Sequence, residues 1–258
     1  MNESPRTNYG RRLPGGVRQR ILTEVYGDDY PTEADPRTYV TLSELRRIAL
    51  ELRVGPGHSL VDLGCGHGGP GLWVARETGA AIVGIDQSPT AIGLAPERAR
   101  EFGLAERAHF QVGDITANGL ADTSFDGAMS VDVLWAVPDK LAALRECARI
   151  LKPGAQFVFT TWDRERNPPG YPPPLADHRP LLSAAGFSIR AYEVQAEAEQ
   201  RRRAVYERAL AAEDEMVREE GQEAVSRIMF EARATLGRVD GVDYLDFSHR
   251  ILVVAQRQ

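Results

Sequence analysis

Four aspartates sit at or beside the ends of four short apolar runs. Asp62 lies in Ser59-Leu60-Val61-Asp62-Leu63, just ahead of Gly64-Cys65-Gly66-His67-Gly68-Gly69-Pro70-Gly71, and Asp86 closes the run Ala81–Ile85. Asp114 follows His109–Val112, and Asp132 follows Phe125–Val131. Carboxylates gathered at the carboxyl ends of adjacent strands line the crevice where an open α/β sheet binds its ligand. Glycine at 64, 66 and 68 lets a strand turn sharply into a helix and lets a ligand touch bare backbone. The same letters satisfy G-x-G-x-x-G at Gly64, Gly66 and Gly69, the dinucleotide spacing, and a glycine turn that only packs a helix on a sheet satisfies it too. Crowded carboxylates repel a pyrophosphate and attract a cationic cofactor. Each aspartate taken alone also reads as a helix N-cap or turn residue.

Such a constellation needs alternating strands and helices to hold it. Strands are expected at 59–63, 81–85, 109–112, 125–131, 156–161, 187–194 and 251–255, and helices at 71–78, 89–101, 138–151 and 181–185. Pro70 before the first of these helices and Gly79 after it stand where each residue is tolerated best. Lys152-Pro153-Gly154 is expected to break the third helix, and Asn167–Pro174 reads as a proline-rich loop. Parallel neighbours need crossovers, so the fold class is α/β: a doubly wound, mostly parallel seven-stranded sheet, with a helical N-terminal cap and a helical insertion before the last strand. Val17, Ile21 and Val25 mark the N-terminal helix, and residues 196–236 read as two helices. Arg201-Arg202-Arg203 reads as a solvated helix face. The expected units are a cap over 1–50, the core over 51–195, a lid insertion over 196–240 and the last core strand within 241–258.

Composition sets outer limits. The chain has 258 residues, 43% hydrophobic and 26% charged, enough for a full core. A net charge of −6 disfavours a polyanion, so nucleic acid is not the expected partner. Two cysteines make neither a disulfide framework nor a four-thiolate zinc site, and no histidine pair has metal spacing, so no metal is expected. Arg6, Arg11 and Arg12 precede no apolar run, and no stretch approaches the roughly 18 apolar residues of a membrane span, so neither a secretory signal nor a membrane anchor is expected. A cytoplasmic protein is the default, and homodimerisation is left open.

The ordered motifs resemble those of the class I S-adenosylmethionine-dependent methyltransferases of the small-molecule branch, those of natural-product, sugar and quinone metabolism. Their acidic residue followed by G-x-G-x-G is matched by Asp62-Leu63-Gly64-Cys65-Gly66-His67-Gly68, and their acidic residue after strand two by Gly84-Ile85-Asp86. Gly113-Asp114-Ile115, Phe125-Asp126-Gly127-Ala128 and Leu151-Lys152-Pro153-Gly154 match the later motifs, so the resemblance spans about residues 58–161. It implies S-adenosylmethionine as cofactor, leaving as S-adenosylhomocysteine. The glycine loop with Gly64, Cys65 and Gly66 would face the methionine part, and Asp86 with Gln87 the ribose hydroxyls. Asp114 with Ile115 would meet the adenine and Val131 would complete the contact set, while Asp62 would support the loop or partner the ammonium group.

The expected reaction is methyl transfer to a small-molecule acceptor, a secondary metabolite, by in-line displacement that relies on positioning. Relatives often carry a histidine after strand four, whereas Asp132-Val133-Leu134-Trp135-Ala136-Val137-Pro138 has none, so no catalytic residue is assigned. His178 is the spare base and otherwise a surface histidine, and His67 packs in the loop or meets the cofactor. Tyr26, Trp135, Trp162 and His178 are the substrate-pocket candidates; Tyr30, Tyr206, Met229 and Phe230 are further lining or ordinary core. Two other readings stay open. An NAD-dependent oxidoreductase would use the glycine turn and Asp86 but leaves Asp62 and Asp114 idle and lacks a hydride-transfer site. A methyltransferase-like protein that binds the cofactor without methylating is the other.

Overall fold

The computed structural model describes residues 15–36 and 38–258; Arg6, Arg11 and Arg12 lie outside the described residues. Two helices precede the first strand, α1 (Val17–Tyr26) and α2 (Leu42–Leu52). The sequence reading placed residues 41–52 within the cap and its border without a helix of their own. Yet the local signal is complete: the Thr41 hydroxyl accepts from Glu44 N at 3.1 Å and the Glu44 carboxylate from Thr41 N at 2.8 Å, a capping box. Leu45, Ile48 and Leu52 then form one buried face on the sheet, so a boundary at residue 50 would cut this helix.

The apolar runs become β1 (Ser59–Leu63), β2 (Ala81–Asp86), β3 (Ala108–Val112) and β4 (Phe125–Val131), all parallel, and the crossover helices between them are α3 (Gly69–Thr78) and α4 (Pro89–Glu101). The helix α5 (Lys140–Ile150) is shorter than expected because the Asp139 side chain caps it. The segment Lys152-Pro153-Gly154 belongs to β5 (Leu151–Arg164), which runs well past the expected end at Thr161. After α6 (Arg179–Ala184), β6 (Phe187–Val194) and β7 (Ser248–Arg257) complete a sheet of order β3-β2-β1-β4-β5-β7-β6. Only β7 runs antiparallel to its neighbours. Leu72, Ile82, Met129 and Val158 build the core beneath α2 and α3, and Leu144, Ile150, Phe157 and Leu182 the core beneath α5 and α6.

Residues 198–235 form three helices rather than two: α7 (Ala198–Ala211), α8 (Glu213–Glu220) and α9 (Gln222–Thr235). Gly221, at φ +88°, sets the second break. Their apolar stripes meet α1 in a third cluster that joins Val17, Ile21 and Tyr26 to Val205, Met216, Val225 and Met229. The α1 N-terminus has no cap of its own; Glu219 accepts from Val17 N at 2.7 Å, a carboxylate at the positive end of a helix. The two additions thus form one cap. No helix among the described residues is long and apolar enough to cross a membrane.

A buried ionic triad fastens the layers to one another. Arg250 on β7 donates through Nε and Nη2 to Asp132 at 3.0 and 3.2 Å, and through Nη1 to Glu44 on α2. Burial pushes the Glu44 carboxyl upward while Arg250 holds it down. Removing one member of a buried pair strands the other charge, so Arg250→Met is expected to cost about 3–5 kcal/mol. Urea unfolding checks this, and adding Glu44→Gln and Asp132→Asn should restore part of the loss.

Candidate cofactor and substrate site

The turn from β1 into α3 owes its path to backbone that only glycine adopts easily. Gly64, Gly66 and Gly68 have φ of +80°, +56° and +89°. Gly64 N and Cys65 N both donate to Ile85 O, at 2.8 and 2.9 Å, which ties the loop to β2. The glycines also serve close packing. A Cβ at Gly64 would lie 2.5 Å from Val133, one at Gly69 1.8 Å from the Ala34 carbonyl, and one at Gly71 2.4 Å from the Asp62 carboxylate. Cys65 is buried against Gly84, and burial raises its thiol, so it offers no thiolate. His67 is buried in the loop.

The four aspartates part company in three dimensions. Asp86 accepts from Gly66 N at 2.8 Å and from Ser88 N at 2.9 Å, one bond to each oxygen, and stays partly accessible. Gln87 beside it is exposed. Asp114 is exposed and accepts from the backbone and hydroxyl of Thr116, both at 2.8 Å, the turn geometry open to any lone aspartate. Ile115 and Val131 are buried next to these ends. Asp132 does not face a cofactor crevice. At φ +55° it turns to the Arg250 triad and accepts from Tyr39 N at 3.1 Å.

Asp62 is 2% exposed, and no hydrogen bond among the described residues reaches its carboxylate. Burial, reinforced by the charge of Asp86, pushes its pKa up to about 8. A buried carboxyl without a partner, beside a glycine loop at the strand ends, is suited to a cationic ligand group.

The four expected pocket residues fall into different places. Trp135 lies just past β4, held by its indole N–H on Asp132 O at 2.8 Å and its backbone N–H on Thr161 Oγ1 at 2.9 Å. Trp162 is buried edge-on to Tyr39, with ring centroids 6.1 Å apart. Tyr26 belongs to the cap core with Tyr30. His178 is neither a surface nor a pocket residue: it is 0% exposed, with Nδ1 2.6 Å from Asp163 and its backbone N–H on the Tyr192 hydroxyl at 3.0 Å. The loop after Asn167 folds back, closed by Asn167 Nδ2 on Pro172 O at 2.7 Å, and carries His178 beneath Phe159. Met229 packs in the cap, and Phe230 is 53% exposed.

Sequence reasoning missed Arg164, Arg202 and Glu231. Arg202 is not a solvated face; at 2% exposure it donates twice to the Tyr206 hydroxyl, at 3.0 and 2.8 Å, and to Glu231 at 3.2 Å. The signal lay in the spacing, since Arg202, Val205, Tyr206 and Ala209 share one helix face and the last three are apolar. No local pattern marks Arg164.

Comparison with known proteins fits this geometry. Residues 61–159 match the model of a methyltransferase domain family, "Methyltransferase domain". Residues 61–159 are thus similar to a methyltransferase domain. Methyltransferase GfsG of Streptomyces halstedii is 34% identical over 129 residues, 50% of this chain and 46% of that protein. The 24-methylenesterol C-methyltransferase 2 of Oryza sativa subsp. japonica is 35% identical over 116 residues, 45% of this chain and 32% of that protein. The aligned stretch thus spans less than half of these relatives' own length. Among solved structures, the [4+2]-cyclase SpnF superposes with a TM-score of 0.68 at 26% identity, covering 93% of this chain and 92% of that one.

The buried Asp62 carboxyl makes stability depend on pH. Its folded pKa lies above the ordinary carboxylate value, so folding favours the protonated form. The resulting penalty is absent below about pH 4 and grows as pH rises toward 8. Asp62→Asn is therefore expected to stabilise the ligand-free chain by on the order of 4 kcal/mol at pH 7 and by little at pH 4. Urea unfolding at the two pH values decides it.

Proposed function

We propose that this chain transfers a methyl group from S-adenosylmethionine to a small-molecule acceptor. The unpartnered, buried Asp62 carboxyl facing the glycine loop carries the reading. When bound, the cofactor supplies a methyl group already activated on a sulfonium. Asp62 holds its ammonium group. Asp86 keeps lone pairs free for two ribose hydroxyls after accepting from Gly66 and Ser88. Asp114 and Ile115 flank the adenine, Gln87 borders the ribose, and Val131 lies under the reacting centre. Free, buried thiols at Cys65 and Cys147 fit a cytoplasmic location.

Catalysis here rests on placement rather than on a base. The stretch 132–138 just after β4 holds no histidine, and burial pushes the Tyr39 phenol up to about 12, so it holds its proton at neutral pH. Tyr171 and Tyr206 are shifted the same way for the same reason. Trp135, fixed at both its nitrogens, forms a rigid wall for the acceptor, and the cap of α1 with α7–α9 excludes water.

A non-methylating reaction is the second reading, supported by the [4+2]-cyclase whose structure covers nearly the whole chain. Turnover of methyl-labelled cofactor with candidate acceptors separates the two. Both require the cofactor, so calorimetry should show binding of S-adenosylhomocysteine and no heat from NAD. Asp86→Ala loses two hydrogen bonds to a charged acceptor and should weaken that binding by about one to three decades. An unchanged dissociation constant in a folded variant would contradict the assignment.

A further inference from the structure

Arg164 ends β5 beyond the edge of the parallel strands, under the cap. Its guanidinium lies over the Trp135 ring, 4.5 Å from the centroid, with Trp162 and Tyr171 at 5.8 and 6.0 Å. Nη1 donates to the neutral Asn167 Oδ1 at 3.2 Å, and Nε is buried without a partner. No carboxylate among the described residues pairs with it, although the residue is only 5% exposed. The second guanidinium of the cluster, Arg202, lies 4.6 Å over the same Trp162 ring and pairs with Glu231. Two buried positive charges therefore share one negative one. Burial and the charge of Arg202 pull the Arg164 pKa down to about 10, the response of a cation that lacks a counter-charge.

A structural arginine so deeply placed normally has its fork filled, because an unpaired buried charge is strongly destabilising. Here the face of the guanidinium stacks on Trp135, the residue just past β4 that the proposed acceptor site uses as a wall, while Nε has no partner.

We propose that Arg164 is the anion-recognition residue of the acceptor pocket, and that the acceptor is a small molecule bearing a carboxylate or phosphate group. The anion takes the Nε–H and the remaining guanidinium hydrogens of Arg164, in the planar two-point geometry that guanidinium offers. Arg202, bonded through Nε and Nη2 to Tyr206 and Glu231, adds field. Asn167 and the face of Trp135 fix the fork so that little is lost on ordering. This assignment rests on the acceptor site proposed above.

Calorimetry on the full chain tests it, with phenyl phosphate and benzoate as anionic probes and benzyl alcohol and benzamide as neutral ones, each with and without saturating S-adenosylhomocysteine. The wild-type chain is expected to bind at least one anionic probe about tenfold or more tighter than its neutral counterpart. Arg164→Gln should bring that ratio near one while leaving S-adenosylhomocysteine affinity unchanged, and Arg164→Lys should keep an intermediate ratio because the charge remains without the fork. A wild-type ratio near one, or a ratio that Arg164→Gln leaves intact, overturns the proposal; if Arg164→Gln does not fold, the wild-type and Arg164→Lys ratios decide it. Failure to bind S-adenosylhomocysteine refutes the methyltransferase reading instead, and the ratio measured without it still decides the role of Arg164.

Discussion

One guanidinium, that of Arg250, sets the geometry on which the site depends. It draws together a carboxylate that caps α2 and a carboxylate just past β4, in a place closed to water. Desolvating three charges is costly, and the arrangement persists because every member is bonded to another. What it secures is the conformation of Asp132. Held at φ +55°, that residue offers its carbonyl to the Trp135 indole and its side chain to the Tyr39 backbone. Trp135 and the Tyr39 backbone are thus held in place by the residue that the triad fixes.

The crevice that results is electrically lopsided. At the glycine loop a buried carboxyl lacks a cation; under the cap a buried guanidinium lacks an anion. The two do not reach each other, since each is enclosed by its own glycines or aromatic rings. The unpaired guanidinium and the carboxyl that burial keeps protonated both cost stability in the empty protein. The glycines contribute to the packing: several admit a neighbouring protein atom where a Cβ would clash.

Much of this was legible in the sequence, for physical reasons that differ residue by residue. Strands β1, β4 and β6 and helix α4 stand at the expected residues, because apolar runs bounded by glycine, proline and aspartate leave little freedom. Helix α2 was missed although Thr41 and Glu44 signal it, and the α8–α9 break was missed although Gly221 marks it. Other features have no local signature. Glu44 and Arg250 lie 206 residues apart, and nothing near either one announces the other. His178 gives the same lesson: a proline-rich loop suggests exposure, and only its closure through Asn167 shows that the imidazole is carried inward. Asp132 read as one of four equivalent strand-end carboxylates, since spacing along a chain does not reveal a long-range partner.

The pairing of the last two strands has a consequence for how such a chain can change. Val194, where the chain leaves the sheet toward α7, stands opposite Ile251, where it returns, so the whole helical excursion is anchored at two points one strand spacing apart, about 5 Å. A segment attached in this way behaves as a cassette. It can be lengthened, shortened or exchanged for another without altering the register of any strand, provided that its apolar stripe still finds α1. The cassette can therefore diverge while the glycine loop stays constant, and grafting the excursion between two related cores becomes a realistic engineering route.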